Sequence, residues 1–355
     1  MADYLTKQQM KDIIEGRRTN ERIPNLCNFW VYTWAFGDKA KEIEEWKSRQ
    51  AYDMDVLYIQ MPGIIQGTPE DPEYCWLPSG SVGQIGGALD SCDYIKDWDD
   101  EAFVEEIFAR FPSPDSPSLF PNVKFDNKKY IVGTWFFCLF ERHWSLRGME
   151  NSLTDFYEYP EQVHRLYQKL TDFYIRVMER AKAEFDIDAI FTSDDIGTQT
   201  GPFFSLDLFR EFFKPYYKQL IDKAHELGMH FWLHTCGNIE LFLEDLIEIG
   251  LDVIHPIQKY TMDERKIAEK YGSRICILVG FDVQKIIPYG TPEDVAREAD
   301  HLIDTFWRPD GRFMITMGNG ATPDWKLASL EALYREIAEH VPDQENNGVN
   351  ADLNS

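Results

Sequence analysis

Positive charge is scarce in this 355-residue chain. Lysine and arginine together number 36 against 61 aspartates and glutamates, which gives a formal net charge of −25 at pH 7. Nucleic acid needs a basic face to neutralise its phosphates, and anionic lipid likewise attracts basic surfaces. We therefore expect neither nucleic acid nor a membrane among the partners, whereas the charge says little about a small neutral substrate.

Long apolar runs are also absent. No stretch approaches the roughly 18 apolar residues that a membrane-spanning helix needs, and residues 1–24 contain no apolar signal core. The six cysteines show no paired short spacing, so in a chain without a leader we expect them to be reduced. Together these absences predict a cytoplasmic protein.

A glycine-rich phosphate-binding turn after the first strand is missing too, because VGQIGGALD (82–90) falls in a predicted loop. This disfavours a doubly wound open sheet. The chain instead alternates eight short apolar runs with helical stretches, which predicts an α/β fold closed as a (β/α)₈ TIM barrel. The predicted strands are 25–32, 55–60, 130–137, 188–195, 230–237, 252–258, 275–282 and 313–320.

Three predicted helices have clear signals. Residues 160–185 show the 3.6-residue spacing of a helix with one buried face. A second helix begins at the N-cap Ser205 and ends at Gly228, with a kink expected at Pro215. A third begins after Thr291 as its N-cap.

The domain organisation follows from the same pattern. We predict one barrel domain over 1–342, with residues 61–129 as an insertion after the second predicted strand. The insertion is rich in proline, glycine and acidic residues and is expected near the barrel mouth, where lids are usually found. The polar tail 343–355 is expected to be disordered.

Polar or aromatic side chains end nearly every predicted strand. In barrels of this kind the carboxyl ends of the strands meet at one face, which carries the active site. The strand-end candidates are Gln60, Trp135, Asp194, Asp195, His234, Cys236, His255, Gln258, Asp282 and Asn319.

His234 and Cys236 are the strongest metal candidates. Being two residues apart, they share one face of an extended strand and can meet one ion. An imidazole and a thiolate suit Zn²⁺, and a catalytic zinc site has three protein ligands and one open position. The alternative is a buried cysteine beside a histidine bonded to a loop carbonyl.

The carboxylates at the strand ends have two interpretations each. Asp194 and Asp195 point to opposite sides, so we expect one to face the cavity as acid, base or ligand and the other to cap a helix or bind loop amides. Asp282 has the same alternatives. Asn319, between two glycines, either contacts a ligand closely or serves as a turn residue. His255, before a proline, favours a structural role.

Aromatic and amide side chains are the candidates for substrate binding. Trp30, Tyr32 and Trp135 are expected to line a flat apolar pocket, with core packing as the alternative. Gln60 and Gln258 are expected to add polar contacts from their strand ends.

Four long stretches together resemble the uroporphyrinogen decarboxylase superfamily, in its corrinoid-dependent methyltransferase-like branch. The resemblance covers roughly residues 140–340 and implies a (β/α)₈ barrel. The decarboxylases themselves are similar to one another in an arginine-rich N-terminal motif, but residues 28–43 here contain no arginine, which argues against a substrate with many carboxylates. The stretches are 144–161, 193–220, 234–258 and 279–295.

The resemblance also implies a metal site. Relatives in this branch hold zinc through a histidine and a cysteine that match His234 and Cys236, and through a further cysteine near the last strand. This chain has Asn319 there. Either Asp194 or Asp195 completes the zinc site, or no metal binds and the pair holds the substrate directly.

The function so implied is transfer of a methyl group from a small methoxylated, aromatic substrate to cob(I)alamin on a separate corrinoid protein. Alternatives are a methylcobamide:thiol methyltransferase, a decarboxylase-like lyase, and a non-catalytic corrinoid-binding barrel. A homodimer is compatible with the sequence. The residues expected to act are Asp194, Asp195, His234 and Asp282 in catalysis, His234 and Cys236 as metal ligands, and Trp30, Tyr32, Gln60, Trp135, Gln258 and Asn319 at the substrate.

Overall fold

A single curled sheet forms the centre of the molecule. The computed structural model describes residues 4–18, 22–50, 54–61, 95–109, 113–124 and 128–339. Over these ranges seven parallel strands pair in chain order, as expected for an α/β barrel. The strands are β1 Val56–Gln60, β2 Tyr130–Trp135, β3 Ala189–Ser193, β4 His230–His234, β5 Val253–His255, β6 Cys276–Phe281 and β7 Phe313–Met317.

Both faces of the sheet are covered. Every residue of β2 to β7 is buried, whereas in β1 only Val56 and Ile59 are buried and Gln60 at its end is exposed. Near-continuous apolar strands of this kind are typical of parallel sheets that have helices outside and side chains filling the inside. Seven of the eight predicted strands are therefore confirmed, each with somewhat narrower bounds.

The first predicted strand, 25–32, is wrong. Cys27–Trp30 forms a 3₁₀ helix, and only Asn25 joins the sheet, through a parallel bridge to Ile315 in β7. The backbone N–H of Asp55, just before β1, donates to the carbonyl of Asn25 at 3.2 Å. One residue therefore links the two edges of the sheet where a whole strand was expected.

The helix turns aromatic side chains into the barrel. Phe29 and Trp30 are buried and both contact the Phe191 ring of β3, with centroid distances of 5.8 and 6.1 Å. A strand would place consecutive side chains on opposite faces, so it would not direct both rings inward.

Helices cover the sheet and cap its amino-terminal end. They are α1 Lys7–Ile14, α2 Ala40–Gln50, α3 Glu101–Ala109, α4 Phe140–Arg147, α5 Met149–Glu158, α6 Pro160–Phe185, α7 Leu206–Phe212, α8 Lys214–Glu226, α9 Leu243–Glu248, α10 Glu264–Tyr271, α11 Ile286–Tyr289, α12 Pro292–Phe306 and α13 Leu327–Glu339. Within the described ranges no helix is long and apolar enough to cross a membrane.

The predicted helix boundaries agree with the structure. The helix predicted over 160–185 is α6. Ser205 caps α7 by accepting from the Leu208 N–H, and Thr291 forms a capping box at the start of α12. The kink expected near Pro215 is a full break, because α7 ends at Phe212 and Pro215 lies in the first turn of α8, the helix position where proline is tolerated.

The predicted insertion, 61–129, follows β1. Its described parts contain α3 and a 3₁₀ helix at Pro117–Leu119. The Arg147 guanidinium donates to the carbonyls of Ile95 and Lys96, which attaches the middle of the insertion to α4. Residues 62–94 and the tail 343–355 lie outside the described residues, so the lid, the single domain over 1–342 and the disordered tail stay predictions.

Candidate active site

Three potential metal ligands meet at the carboxyl ends of β3 and β4. Asp195, His234 and Cys236 each offer one donor atom, and these atoms all lie within 4.8 Å of one another. His234 Nε2 is 3.4 Å from Cys236 Sγ and 3.6 Å from Asp195 Oδ1. His234 is buried, whereas Asp195 and Cys236 are partly exposed. The donor group therefore has one buried member and two members that a ligand can reach from the barrel mouth.

Close backbone packing fixes the two loops that carry these residues. The Asp195 carboxylate accepts from the backbone N–H of Cys236 at 2.7 Å, and Thr198 bridges Asn238. A Cβ on Gly197 would lie 2.7 Å from the carbonyl oxygen of Cys236. Since that is shorter than real Cβ contacts, glycine is needed for the loops to approach this closely.

Gln258 supports the same loop from β5. Its side-chain oxygen accepts from the backbone N–H of Gly237 at 2.6 Å, and Gly237 has a φ of 87°, which favours glycine. Gln258 thus orients the loop behind Cys236 through a contact that the sequence alone did not specify.

The electrostatic environment is unfavourable to a free thiolate. Burial raises the pKa of the Cys236 thiol, and the nearby Asp195 and Glu141 carboxylates raise it further. Burial also lowers the pKa of His234, although Asp195 opposes that effect. A divalent cation at this point would offset the repulsion between the carboxylates and a thiolate.

The donor set fits zinc. One nitrogen, one sulfur and one carboxylate oxygen make three protein ligands, the usual number in a catalytic zinc site. Zinc–ligand bonds of about 2.0–2.3 Å in a tetrahedron place neighbouring ligand atoms roughly 3.3–3.8 Å apart. The separations from His234 Nε2 to Cys236 Sγ and Asp195 Oδ1, 3.4 and 3.6 Å, lie within that range.

A second histidine lies directly behind the first. The Nδ1 atoms of His234 and His255 are 2.7 Å apart, and His255 Nε2 is 2.9 Å from the carbonyl oxygen of Met317. The Trp30 ring stacks on His255 with an interplanar angle of 13° and lies 5.3 Å from the His234 ring centroid. Trp30 therefore lies against both imidazoles, and its predicted contact with a substrate stays a prediction.

An aromatic wall continues from Trp30. Phe136 lies 6.0 Å from Trp30 by ring centroids, Phe29 lies 4.8 Å from it, and Tyr58 lies 4.2 Å from Phe29. Phe136 and Tyr58 are partly exposed, so they can contact a ligand. Phe29, Tyr58 and Phe136 were not predicted from the sequence, although the aromatic residues in β1, directly after β2 and in the 28–43 segment were a usable signal.

Trp135 does not belong to this wall. It is buried and stacks on Tyr174 of α6 at 4.9 Å and 6°, which favours the packing alternative over the predicted substrate contact. Phe136, the next residue, lies just beyond the end of β2 and contacts Trp30 instead. Gln60, at the end of β1, is exposed and has no polar contact among the described residues of the site.

Asp194 and Asp195 face opposite sides, as expected, and only Asp195 joins the donor group. The Asp194 carboxylate is buried and accepts from the backbone N–H groups of Leu139 and Glu141 and from the Tyr217 hydroxyl, at 3.1, 2.8 and 2.6 Å. It thus caps the start of α4. These contacts direct the carboxylate toward α4 and α8, which favours the capping alternative over the predicted catalytic role.

Four predicted residues line one cleft beside the donor group. The cleft has a volume of about 420 Å³ and its walls include Cys236, Gln258, Asp282 and Asn319. The Asp282 carboxylate accepts from the Tyr260 hydroxyl at 2.8 Å and from the backbone N–H of Gln284 at 2.8 Å. Asp282 therefore shapes the cleft wall, which favours the structural alternative over a catalytic one.

Asn319 occupies the place expected for a third cysteine. Its side-chain amide donates to Cys236 Sγ at 3.6 Å, and its oxygen accepts from the Gly320 N–H. Tyr32 packs against Gly320 and stacks on the exposed Trp34 at 5.6 Å. Tyr32 therefore lies at the rim, beyond Asn319, and not in the deep pocket.

Glu141 is a further acid near the site that the sequence analysis missed. It is buried in the first turn of α4, and its side chain accepts from the Ser193 hydroxyl. Burial and the Asp195 and Asp194 carboxylates hold its pKa well above the ordinary value. The available signal was a Glu-Arg-His run inside the apolar segment 136–146.

These features define an α/β barrel with a polar, three-donor site at the carboxyl ends of its strands. The family model for uroporphyrinogen decarboxylase (URO-D) matches residues 143–340, more than half of the chain. The chain belongs to that family, which confirms the superfamily predicted from sequence.

Two curated relatives each match about half of the chain. A methylated-thiol–coenzyme M methyltransferase from Methanosarcina mazei is 26% identical over 197 residues, covering 55% of this chain and 49% of the relative. A uroporphyrinogen decarboxylase from Danio rerio is 24% identical over 198 residues, covering 52% and 48%. The chain thus spans about half the length of the curated relatives it matches.

A solved structure extends the likeness to nearly the whole chain. A methyltransferase from Methanosarcina mazei matches with a TM-score of 0.58 at 15% identity, covering 94% of this chain and 98% of that one. At this identity the match shows the fold, and it agrees with the barrel described above.

Proposed function

We propose that this protein is the methyltransferase of a corrinoid-dependent demethylation system. It would take a methyl group from a small methoxylated aromatic compound and pass it to cob(I)alamin on a separate corrinoid protein. The observation that carries the proposal is the meeting of Asp195, His234 and Cys236 within 4.8 Å, beside an aromatic wall at the barrel mouth. Two of the relatives named above, both methyltransferases, support it.

The chemistry sets a clear requirement. Breaking the methyl–oxygen bond leaves both bonding electrons on the phenolate oxygen, which is a poor leaving group unless a proton or a positive charge stabilises it. Zinc held by His234 Nε2, Cys236 Sγ and the Asp195 carboxylate would supply a Lewis acid for that oxygen. Asp195 thereby replaces the cysteine that is absent at Asn319.

Two groups of this chain's own residues complete the proposal. The wall of Trp30, Phe136 and Tyr58 would hold an aromatic ring by stacking and edge contacts. Burial and the neighbouring carboxylates hold the pKa of Glu141 well above its ordinary value, which makes Glu141 the candidate proton donor to the product phenolate. The methyl group leaves the site with its acceptor.

The decisive experiment combines metal analysis with methyl transfer. The purified chain is incubated with a panel of methoxylated aromatic compounds and a reduced corrinoid protein, and formation of the methylated corrinoid is followed by absorbance. We expect His234→Ala and Cys236→Ala to lose both zinc and transfer. Cys276→Ala is the matched control, since Cys276 is a buried cysteine at the start of β6 and its loss should affect neither.

A thiol acceptor is the second candidate function. The Methanosarcina mazei relative is named for a methylated thiol, and a cysteine-ligated zinc can activate a thiolate. Incubation with methylcobalamin and a panel of thiols tests this direction. Unchanged turnover in the His234 and Cys236 variants would remove these residues from either reaction.

A further inference from the structure

Two buried histidines connect the donor group to the last strand: His234, which is one of the three donors, and His255. His234 and His255 are partners in the register between β4 and β5, and both are buried. His234 Nδ1 is 2.7 Å from His255 Nδ1, and His255 Nε2 is 2.9 Å from the Met317 carbonyl oxygen at the end of β7. The contacts therefore run in series across three strands.

When both imidazoles are neutral, these hydrogen bonds allow only one placement of the two ring N–H protons. A carbonyl oxygen only accepts, so His255 Nε2 must donate to Met317. A neutral imidazole has one N–H, so His255 Nδ1 must accept, and the donor to it is His234 Nδ1. The lone pair of His234 is then on Nε2, the atom that faces Cys236 Sγ and Asp195 Oδ1.

Aromatic packing holds both rings in this orientation. Trp30 stacks on His255 at 5.5 Å and 13°, and Phe191 meets the two imidazoles edge to face, at 71° and 82°. Burial among these rings disfavours the charged form of an imidazole, and rotation of either ring would break the contact with the other. The Met317 carbonyl, which belongs to the sheet backbone, is the fixed end of the series.

We infer that His255 is a positioning residue, which fixes the tautomer and ring orientation of His234 so that Nε2 presents its lone pair to the Asp195–Cys236 pocket. Hydrogen bonding of this type to a metal-binding histidine orients the ring and raises its basicity. The consequence for zinc affinity rests on the proposed function, but the tautomer of His234 does not.

The test compares two substitutions of His255 with a control. His255→Leu removes the acceptor for His234 Nδ1 while keeping an apolar side chain. His255→Asn retains an acceptor near the position of Nδ1 but lacks the ring nitrogen that donates to Met317. His143→Leu removes another wholly buried imidazole, which contacts Asp155 and not the candidate site.

Two readouts are measured on the full chain. In the zinc-free protein, ¹⁵N NMR of the histidine rings should show His234 protonated on Nδ1 in the wild type and in His255→Asn, and a mixture of tautomers in His255→Leu. The dissociation constant for zinc, measured by chelator competition, should rise about 10–100-fold in His255→Leu. His255→Asn should recover most of that loss, and His143→Leu should bind zinc as the wild type does.

Stability alone does not decide the outcome, because both His255 variants lose the bond to Met317. The inference is overturned if His234 keeps the same tautomer in His255→Leu, or if leucine and asparagine weaken zinc binding equally. If the tautomer changes as expected but no variant and no wild-type sample transfers methyl groups, the positioning role stands and the proposed function fails.

Discussion

The buried carboxyl of Asp194 makes the stability of this protein depend on pH to a calculable extent. Burial raises its pKa from 3.8 to about 6, although the Tyr217 hydroxyl and backbone N–H groups oppose the shift. Because the folded pKa is the higher one, the folded protein binds the proton more tightly than the unfolded chain does. Below pH 3.8 the carboxyl is protonated in both states and does not lower the free energy of unfolding. The cost grows as the pH rises through 6, because the unfolded chain then loses the proton more readily than the folded protein does.

The size of the effect follows from the shift. A rise from 3.8 to about 6 corresponds to about 3 kcal/mol once the carboxyl is ionised in both states. Roughly 1 kcal/mol of this cost develops between pH 5 and pH 7. Asp194→Asn keeps the shape but cannot ionise. Its missing acceptor should lower the free energy of unfolding by about 1–3 kcal/mol at every pH, and the pH-dependent cost should disappear.

Urea unfolding at pH 5, 6 and 7, followed by tryptophan fluorescence, measures both parts. We expect the wild type to lose roughly 1 kcal/mol more than Asp194→Asn between pH 5 and pH 7. Tyr217→Phe should increase the pH dependence, because it removes the hydroxyl that holds the pKa down. Parallel losses in the wild type and Asp194→Asn would refute the raised pKa of this carboxyl.

Two further predictions separate packing from ligand binding. Trp135→Phe should lower the free energy of unfolding by about 1–2 kcal/mol, because the stack on Tyr174 is weakened, and should leave KM for the methyl donor unchanged. Phe136→Leu should instead raise KM and have a smaller effect on stability. The opposite pattern in urea titrations and kinetics would contradict the assignment of Trp135 to packing and Phe136 to the ligand. Gly197→Ala should abolish zinc binding, because the new methyl group would lie 2.7 Å from the Cys236 carbonyl oxygen. Metal analysis of the purified variant tests this. A normal zinc content would show that the two loops can separate without loss of the site.

The sequence predicted those parts of the barrel that local patterns control. Seven apolar runs became β1 to β7, because a strand buried on both faces needs a continuous apolar stretch wherever it lies. Ser205 and Thr291 cap their helices since an N-cap bonds only to its own first turn. The resemblance over residues 140–340 likewise identified the family, and the His-x-Cys spacing placed two donors on one face.

The tertiary structure decided which side chains meet. His255 and Glu141 come from other elements of the barrel, so no spacing within the β4 loop could reveal that they flank His234 and Cys236. The choice of Asp195 over Asp194 depends on the turn after β3, where the start of α4 supplies the donors that hold Asp194. Such contacts join residues about 40 to 55 positions apart.

The closure of the barrel likewise depends partly on the sequence and partly on the tertiary structure. The composition of residues 25–32 is that of a strand, yet the chain there forms a 3₁₀ helix, since the space inside the sheet is filled by Phe29 and Trp30. Sequence determined which residues are apolar enough to be buried. The closed sheet determined how these apolar residues are buried. It leaves an interior that Phe29 and Trp30 fill, and a gap between its edges that, in the described part of the chain, Asn25 alone joins.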